Sequence, residues 1–548
     1  MGRNGHSRSN TGWIGRTAYL ASAIALMTAA GAVAQDMSQD QPVPEPYPTR
    51  IDGYQLVRVW IDQPSDMRIV DRLTDDIWSH HVGPDGAIDI LVSPEQMTLL
   101  GQSRLPAVVL NDDVQALIDA EWARLHSPTR VGHDGGQSIL GDDWYLDFKT
   151  YDEVMAYLDE LAARNPDIAT VVEIGTSIEG RLMKGIEIRG LNASANCEEV
   201  LFNGNQHARE WVTPMSSTYI AEQLIDGYGV DPDLTAIVDT YAITVVPISN
   251  PDGYSYTWTN YRLWRKNRRN NGDGSFGIDL NRNWEYEWGG VGSSGNPNSD
   301  LYRGTDPFSE PETQALRDYI LDRPNMTMHI DIHSYGQLVL YPWCFSNQRI
   351  EDYETFRSMA VAISDAALAV HGKYYRPGQW YSDLYPSSGT MIDWCYGARS
   401  GMMTYNIELR DTGSYGFLLP PEQILPTAQE LFAGLVTMMQ TGYEARPMLD
   451  VSELVYGSQA QLRGGRMTPG MTAYFIYSLT GEGSTYVPQL DVTLSLAKPV
   501  LGGSATVGND GIASLVKPLP GSGPPRIIWV QAAEQQRVSN LITTQINN

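Results

Sequence analysis

Asn203-Gly204-Asn205-Gln206-His207-Ala208-Arg209-Glu210-Trp211-Val212-Thr213-Pro214 places an imidazole and a carboxylate three residues apart. In a single tight or helical turn, that spacing points both side chains the same way. A nitrogen and an oxygen meeting about 2.0–2.2 Å from one point are two ligands of a catalytic zinc, with the third arriving from elsewhere in the chain. His-x-x-Glu also occurs by chance. The rest of the sequence must therefore supply a third ligand, a base and groups that hold a substrate.

The candidate third ligand is His333, in His329-Ile330-Asp331-Ile332-His333-Ser334-Tyr335-Gly336. It ends an apolar strand-like run, where a side chain can emerge at a sheet edge and where ligands often sit. The alternative is a histidine at the edge of a core. Glu408 lies in Tyr405-Asn406-Ile407-Glu408-Leu409-Arg410-Asp411, a run too apolar to welcome an unpaired carboxylate. Beside a metal it is suited to act as general base; otherwise it forms an ion pair with Arg410. Arg262-Leu263-Trp264-Arg265-Lys266-Asn267-Arg268-Arg269 carries five positive charges in eight residues. In so acidic a chain this run reads as the lining of an anion-binding cleft, the alternative being a solvated face. Asn281-Arg282-Asn283-Trp284 adds an amide and a guanidinium able to grip a carboxylate, unless it is only a polar loop.

At 548 residues and 42% apolar, the chain can bury a large core shared among three or four domains. Residues 1–34 read as a secretory signal: Arg3, Arg8 and Arg16 precede the apolar run Tyr19 to Ala30, and Ala32-Val33-Ala34 offers a small-x-small cleavage site. Export predicts a secreted, extracellular or periplasmic protein; an uncleaved anchor is the alternative, disfavoured by the short apolar run. The net charge of −27 becomes more negative once those arginines leave, which argues against nucleic acid and anionic lipid as partners. No second stretch of 18 or more apolar residues occurs, so the exported chain has no predicted transmembrane segment. Cys197, Cys344 and Cys395 allow at most one internal bridge.

In chain order, Gln35 to Thr49 is a Pro-rich, acidic linker. Residues 51–127 form a compact unit: a strand at Leu56 to Ile61, a helix capped by Ser65 and running through Ile77, a strand from Ile88, a short helix from Pro94 to Ser103, a strand from Pro106 to Leu110 and a helix from Asp113 to His126. This order predicts a βαββαβ, ferredoxin-like (α+β) module. The Gly-, Ser- and Asp-rich segment up to Gly141, which contains Arg130, reads as exposed and cleavable. Residues 142–443 alternate helical patterns with apolar runs at Val171 to Ile174, Val200 to Phe202, Ala242 to Pro247, Met326 to Ile332, Val339 to Pro342 and Met403 to Leu409. They predict an α/β domain, a mixed sheet in an α/β/α arrangement. Residues 454–548 hold short β-type runs between Gly and Pro and predict a C-terminal β-sandwich.

Together these motifs resemble the zinc metallocarboxypeptidases of the funnelin, carboxypeptidase A/B-like family (peptidase M14) across roughly Asp142 to Tyr443. The matching strings are His207-Ala208-Arg209-Glu210-Trp211, Asn250-Pro251-Asp252-Gly253-Tyr254, Arg262 to Lys266, Asp279 to Trp284, His333-Ser334-Tyr335, Ile392-Asp393-Trp394, and Glu408 through Phe417 to Pro420. The resemblance implies one Zn2+ held by His207, Glu210 and His333, with Asp279 orienting His207. It implies that Glu408 is the base, that Arg265 stabilises the oxyanion, and that Asn281, Arg282 and Tyr385 hold the free carboxylate of a peptide or protein C-terminus. Arg209, Ser334, Tyr335, Ile392 and Phe417 would complete the substrate cleft. Ile392 at the pocket base implies apolar or aromatic C-terminal residues, while Cys344 and Trp380 depart from the family pattern. Residues 51–127 resemble the family's pro-domain, implying a zymogen that needs an activating protease; a monomer is expected. A bridge between Cys344 and Cys395, both near the pocket, stays open. Alternatives are a carboxypeptidase of cell-wall peptides and a non-catalytic peptide-binding protein of the same fold.

Overall fold

Strand after strand in the middle of the chain is buried on both faces, which requires cover above and below. Met326–His333, Met403–Glu408 and Tyr241–Val246 meet that requirement at the centre of an eight-stranded mixed sheet. The structure is a computed structural model and describes residues 47–547 apart from 75, 80–85, 128–141, 195–196, 399–401, 446, 453, 466, 510–511, 536 and 540. The expected leader at 1–34, most of the expected linker and most of the segment read as cleavable lie outside the described residues.

Across the sheet the strands run in the order Arg376–Gln379, Leu338–Tyr341, Met403–Glu408, Met326–His333, Glu198–Gly204, Tyr241–Val246, Leu182–Ile188 and Ala169–Thr176. Leu182–Ile188 and Arg376–Gln379 are additions to the strands expected from sequence. One face packs on the helices Tyr151–Arg164, Val212–Gly227, Tyr353–His371 and Ile424–Ala445. The other meets Pro311–Leu321 and Met391–Ala398. Thr150 starts the first of these helices with a capping box, accepting from the Glu153 N–H while Glu153 reaches back.

The two-residue period of a strand decides where the chemistry lies. Met328, Ile330 and Ile332 point into the first core, as do Met403, Tyr405 and Ile407. Their alternates, His329, Asp331 and His333 on one strand and Thr404, Asn406 and Glu408 on the next, therefore share the opposite face. Parallel pairing sets His329 beside Thr404, Asp331 beside Asn406 and His333 beside Glu408.

The N-terminal unit has a central strand, Gln55–Trp60, paired antiparallel with Ala87–Val92 and Ala107–Asn111, and helices Pro64–Leu73, Pro94–Gly101 and Val114–Leu125. Ile77 pairs as an isolated bridge with Ile90. The βαββαβ order is therefore present with its second strand reduced, among the described residues, to that one bridge. The expected cap at Ser65 is corrected: Gln63 is the N-cap, its carbonyl accepting from the Asp66 N–H at 2.8 Å and its own N–H donating to Asp66 Oδ2 at 3.1 Å, and Pro64 occupies the first turn. The helix ends at Leu73, short of Ile77, with Thr74 in extended backbone. Val57 and Val59 fill the unit's own core, while Leu56 and Leu91 face Tyr335, Phe417 and Leu418 of the large domain.

Beyond residue 447 the described residues contain strands and no helix. Met448–Val451, Gln459–Gly465 and Ala513–Pro518 form one sheet. A larger one includes Thr472–Ser478, Arg526–Glu534 and Ile542–Asn547, and Leu449, Ala460, Phe475, Val530 and Ile542 share the core between the two. None of the three cysteines is in a disulfide. Cys344 packs with Trp380 and Ile392, whereas Cys395 packs with Trp284 and Trp394 in a different cluster, so the bridge left open by the sequence does not form.

Candidate metal centre and substrate cleft

His207 and Glu210 sit in the turn between the strand Glu198–Gly204 and the helix Val212–Gly227, and His333 ends its own strand. All three are buried and offer ligand atoms within 4.8 Å of one another. His207 Nδ1 lies 2.8 Å from Glu210 Oε1, and His333 Nδ1 lies 3.1 Å from both Glu210 Oε2 and His207 Nδ1. Ligands at about 2.0–2.1 Å from a tetrahedral ion are separated by about 3.3 Å, so a Zn2+ fits among them with small adjustments.

Each imidazole turns its other nitrogen to a carboxylate. His207 Nε2 meets Asp279 Oδ1 at 3.1 Å, and His333 Nε2 meets Asp331 Oδ2 at 2.8 Å. Such contacts fix the tautomer and ring orientation of a metal ligand. Asp279 also accepts from Arg265 Nη2 at 2.9 Å, tying the second ligand shell to the cation. Asp331 is held in turn by Asn203 Nδ2 and Gln206 Nε2 at 2.9 and 2.6 Å. Burial opposes charge on His333, but Asp331 and Glu210 prevail and hold its pKa well above the ordinary value. Burial, reinforced by the Arg265 cation, pushes His207 down. Asp331 was missed in the sequence; its signal was the two-residue offset from His333 on a strand.

Glu408 lies beside His333 and is almost fully buried; its Oε2 has no hydrogen-bond partner. Burial, with Glu210 adding to it, pushes its carboxyl well above the usual range, although His333 pulls the other way. The ion pair with Arg410 posed as the alternative is not made: Arg410 Nε donates to Glu430 Oε2 at 2.9 Å. A buried carboxylate without a partner, next to a metal-ligand cluster, can take up a proton from a bound reactant.

The cationic run does not line a single cleft, which corrects the sequence reading. Arg262 Nε donates to Glu121 Oε1 of the N-terminal unit at 2.5 Å, Arg265 joins Asp279, and Arg269 Nε donates to Glu310 at 2.7 Å. Lys266 donates to the carbonyls of Pro297 and Ser299. Of the five, only Arg265 belongs to the metal centre. Asn281 Nδ2 lies 3.4 Å from His333 Nε2, and Arg282 Nη2 donates to the Tyr385 hydroxyl at 3.0 Å. Ile392 is buried with Leu340, Cys344, Trp380 and Leu384, and Tyr385 packs against them. The neighbouring Asp393 carboxylate is occupied by the Cys344 N–H at 2.9 and 3.0 Å.

Arg209, Tyr335 and Phe417 gather under the N-terminal unit. Arg209 Nη1 donates to Asp76 Oδ1 at 2.7 Å, and its guanidinium lies 4.2 Å from the Phe417 ring centroid. Trp78, 1% exposed, packs on Phe417 with ring centroids 5.1 Å apart. Tyr335 donates to Asp89 Oδ2 at 3.3 Å, and the Ser334 N–H donates to Glu210 Oε2 at 3.2 Å. Ser334 thus joins the metal cluster through its backbone.

Residues 154–434 match the zinc carboxypeptidase family, and residues 57–121 match the carboxypeptidase activation peptide. The chain belongs to the zinc carboxypeptidase family. Carboxypeptidase A1 of Sus scrofa is 32% identical over 399 residues, covering 71% of this chain and 93% of its own. Carboxypeptidase B of Astacus astacus is 41% identical over 296 residues, covering 54% of this chain and 96% of its own. Among solved structures, a carboxypeptidase A from Helicoverpa armigera superposes with a TM-score of 0.64 at 28% identity, covering 71% of this chain and 97% of its own. This zinc carboxypeptidase therefore carries an activation segment and uses one Zn2+, for which the His207, Glu210 and His333 donor set is suited. Among the described residues, no helix is long and apolar enough to cross a membrane.

Proposed function

We propose that the protein is an exported zymogen which, once its activation segment is cut away in the Arg124 to Gly141 stretch, removes uncharged, apolar or aromatic residues from peptide C-termini. The observation carrying this reading is the buried, unpartnered Glu408 carboxylate facing the same space as the His207, Glu210 and His333 donors.

In this reading those three residues hold the ion, which supplies Lewis-acid polarisation of the attacking water and the scissile carbonyl. Glu408 takes the proton of that water and later hands it to the leaving amine nitrogen. Arg265, already oriented by Asp279, donates to the oxygen that becomes negative as the carbonyl carbon turns tetrahedral. Asn281, Arg282 and Tyr385 bind the substrate's terminal carboxylate, whose capture confines cleavage to the last peptide bond. Ile392 forms an apolar floor, and Asp393 is engaged by the Cys344 N–H, so a basic side chain would be buried without a counter-charge. Arg209 and Tyr335 serve substrate residues further from the C-terminus and are held by Asp76 and Asp89 until the segment leaves.

The convergence of base and ligands disfavours a purely peptide-binding role. The test is hydrolysis of blocked dipeptides ending in Phe or Arg by the proteolytically activated protein, with and without a zinc chelator. Chelator-sensitive cleavage of the Phe substrate, with the Arg substrate spared, is expected. Chelator-resistant cleavage or none would overturn the zinc mechanism; preferred cleavage of the Arg substrate would overturn the pocket assignment.

A further inference from the structure

We infer that Asn406 is a specificity-determining residue and that the pocket above Ile392 favours C-terminal residues bearing a side-chain amide, Gln above all, over apolar residues of the same size. The inference rests on the proposed carboxypeptidase reading and narrows its substrate class.

Asn406 is two residues before Glu408 on a strand, so the two share a face. Across the antiparallel pairing it lies opposite Leu340, which packs with Cys344, Trp380 and Ile392 in the pocket wall. Its side chain is fully buried, yet neither Oδ1 nor Nδ2 makes a hydrogen bond. The Ser387 hydroxyl is likewise buried and unpartnered, on a loop whose N–H donates to the Cys344 carbonyl at 2.9 Å. Asn406 thus sets an amide beside an apolar cluster, and the loop tied to Cys344 carries the Ser387 hydroxyl, both without partners in the protein.

An unmet buried amide is unusual, because each orphaned donor or acceptor has lost its hydrogen bonds to water with no return. A substrate side chain that presents a carbonyl to Asn406 Nδ2 and an N–H to Oδ1 removes both penalties at once. The carboxamide of Gln or Asn has that pattern of one acceptor and two donors, whereas Met and Leu have neither. A charged side chain is excluded for a separate reason: an amide cannot neutralise it in an apolar enclosure. Sites built to hydrogen-bond a substrate group discriminate strongly against analogues lacking it, because the enzyme's own groups are then left unpaired.

The test compares kcat/KM of the activated, zinc-loaded protein on blocked dipeptides ending in Gln, Met, Phe and Arg. Gln should exceed its near-isostere Met by about 10- to 100-fold, the size expected from one or two recovered hydrogen bonds. Asn406→Leu should abolish that ratio by slowing Gln and leaving Met equal or faster; Ser387→Ala should reduce it less. Cleavage of Phe and Met with Gln no better than Met would overturn the assignment of Asn406 while leaving the carboxypeptidase reading intact. Cleavage of none of the four would overturn both. The wild-type comparison decides the matter even if a variant fails to fold.

Discussion

Replacing Asp331 with Asn should weaken zinc binding without removing a ligand. The carboxylate accepts from three donors: His333 Nε2 at 2.8 Å, Asn203 Nδ2 at 2.9 Å and Gln206 Nε2 at 2.6 Å. An amide in its place has one acceptor oxygen and one NH2, and whichever way it turns, the NH2 meets at least one of those donors. Two outcomes are available: with the amide oxygen in the Oδ2 place His333 and Gln206 keep their acceptor while Asn203 is orphaned, or with it in the Oδ1 place Asn203 is satisfied while His333 and Gln206 both lose theirs. Either loosens the ring that must present Nδ1 to the ion. Loss of such a partner typically costs 10–100-fold in metal affinity, or about 1.4–2.8 kcal/mol at about 1.4 kcal/mol per tenfold. Zinc dissociation constants measured by competition against a chromophoric chelator give the effect directly. Comparing the shift in Tm on zinc addition for both proteins separates it from a general loss of stability. A zinc Kd within twofold of the unmutated protein would refute the role assigned to Asp331.

Glu408→Gln should retain zinc while lowering kcat by about 10²–10⁴-fold, the usual contribution of a positioned base; equal metal content with unchanged kcat would sink the assignment. Because burial raises the Glu408 carboxyl and a base works only when deprotonated, kcat/KM should climb with pH along an acid limb above the ordinary glutamate range of about 4.3. Glu408→Gln should lose that limb. Arg265→Lys should reduce kcat more than it raises KM, since a point charge cannot reproduce the fork that meets Asp279 and the developing oxyanion; a change confined to KM would place Arg265 in ground-state binding instead.

What was legible in the sequence follows from how local each feature is. The His207 and Glu210 pair lies within one turn, and Glu408 betrays itself as a charge in an apolar run, so both could be found without knowing the fold. The strands at Met326–His333 and Met403–Glu408 were visible because apolar residues recur at every second position, the ones that face the core. The edge strand Arg376–Gln379 was not, since Arg, Pro, Gly and Gln carry no strand signal and the pairing with Leu338–Tyr341 is tertiary. Asp331 and Asn406 escaped for a related reason. Each lies at a strand position whose face becomes meaningful only when the neighbouring strand is known, and polar residues beside apolar ones read equally well as a half-buried strand. The cationic run misled because charge density along a chain says nothing about direction: Arg262, Arg265 and Arg269 find Glu121, Asp279 and Glu310 in three different places.

That dispersal bears on how the activation segment is held. Asp76 reaches Arg209 at the cleft with its own side chain 20% exposed, so water screens part of the attraction. Glu121 meets an Arg262 that is fully buried and stacked on Trp211 at 3.6 Å, with further bonds to the Arg209 and Phe417 carbonyls. Removing Glu121 leaves a buried guanidinium without its anion, which costs about 3–5 kcal/mol when nothing replaces it, whereas Arg209, itself 1% exposed, still has Asp300 Oδ2 at 3.9 Å when Asp76 is removed. Glu121→Ala should therefore loosen the segment more than Asp76→Ala, even though Asp76 is the residue that occupies the cleft. Limited proteolysis of the unactivated protein measures this: Glu121→Ala should release the segment faster than Asp76→Ala at equal protease. Equal rates would refute the larger share given to the buried ion pair, and faster release from Asp76→Ala would give that share to the cleft contact.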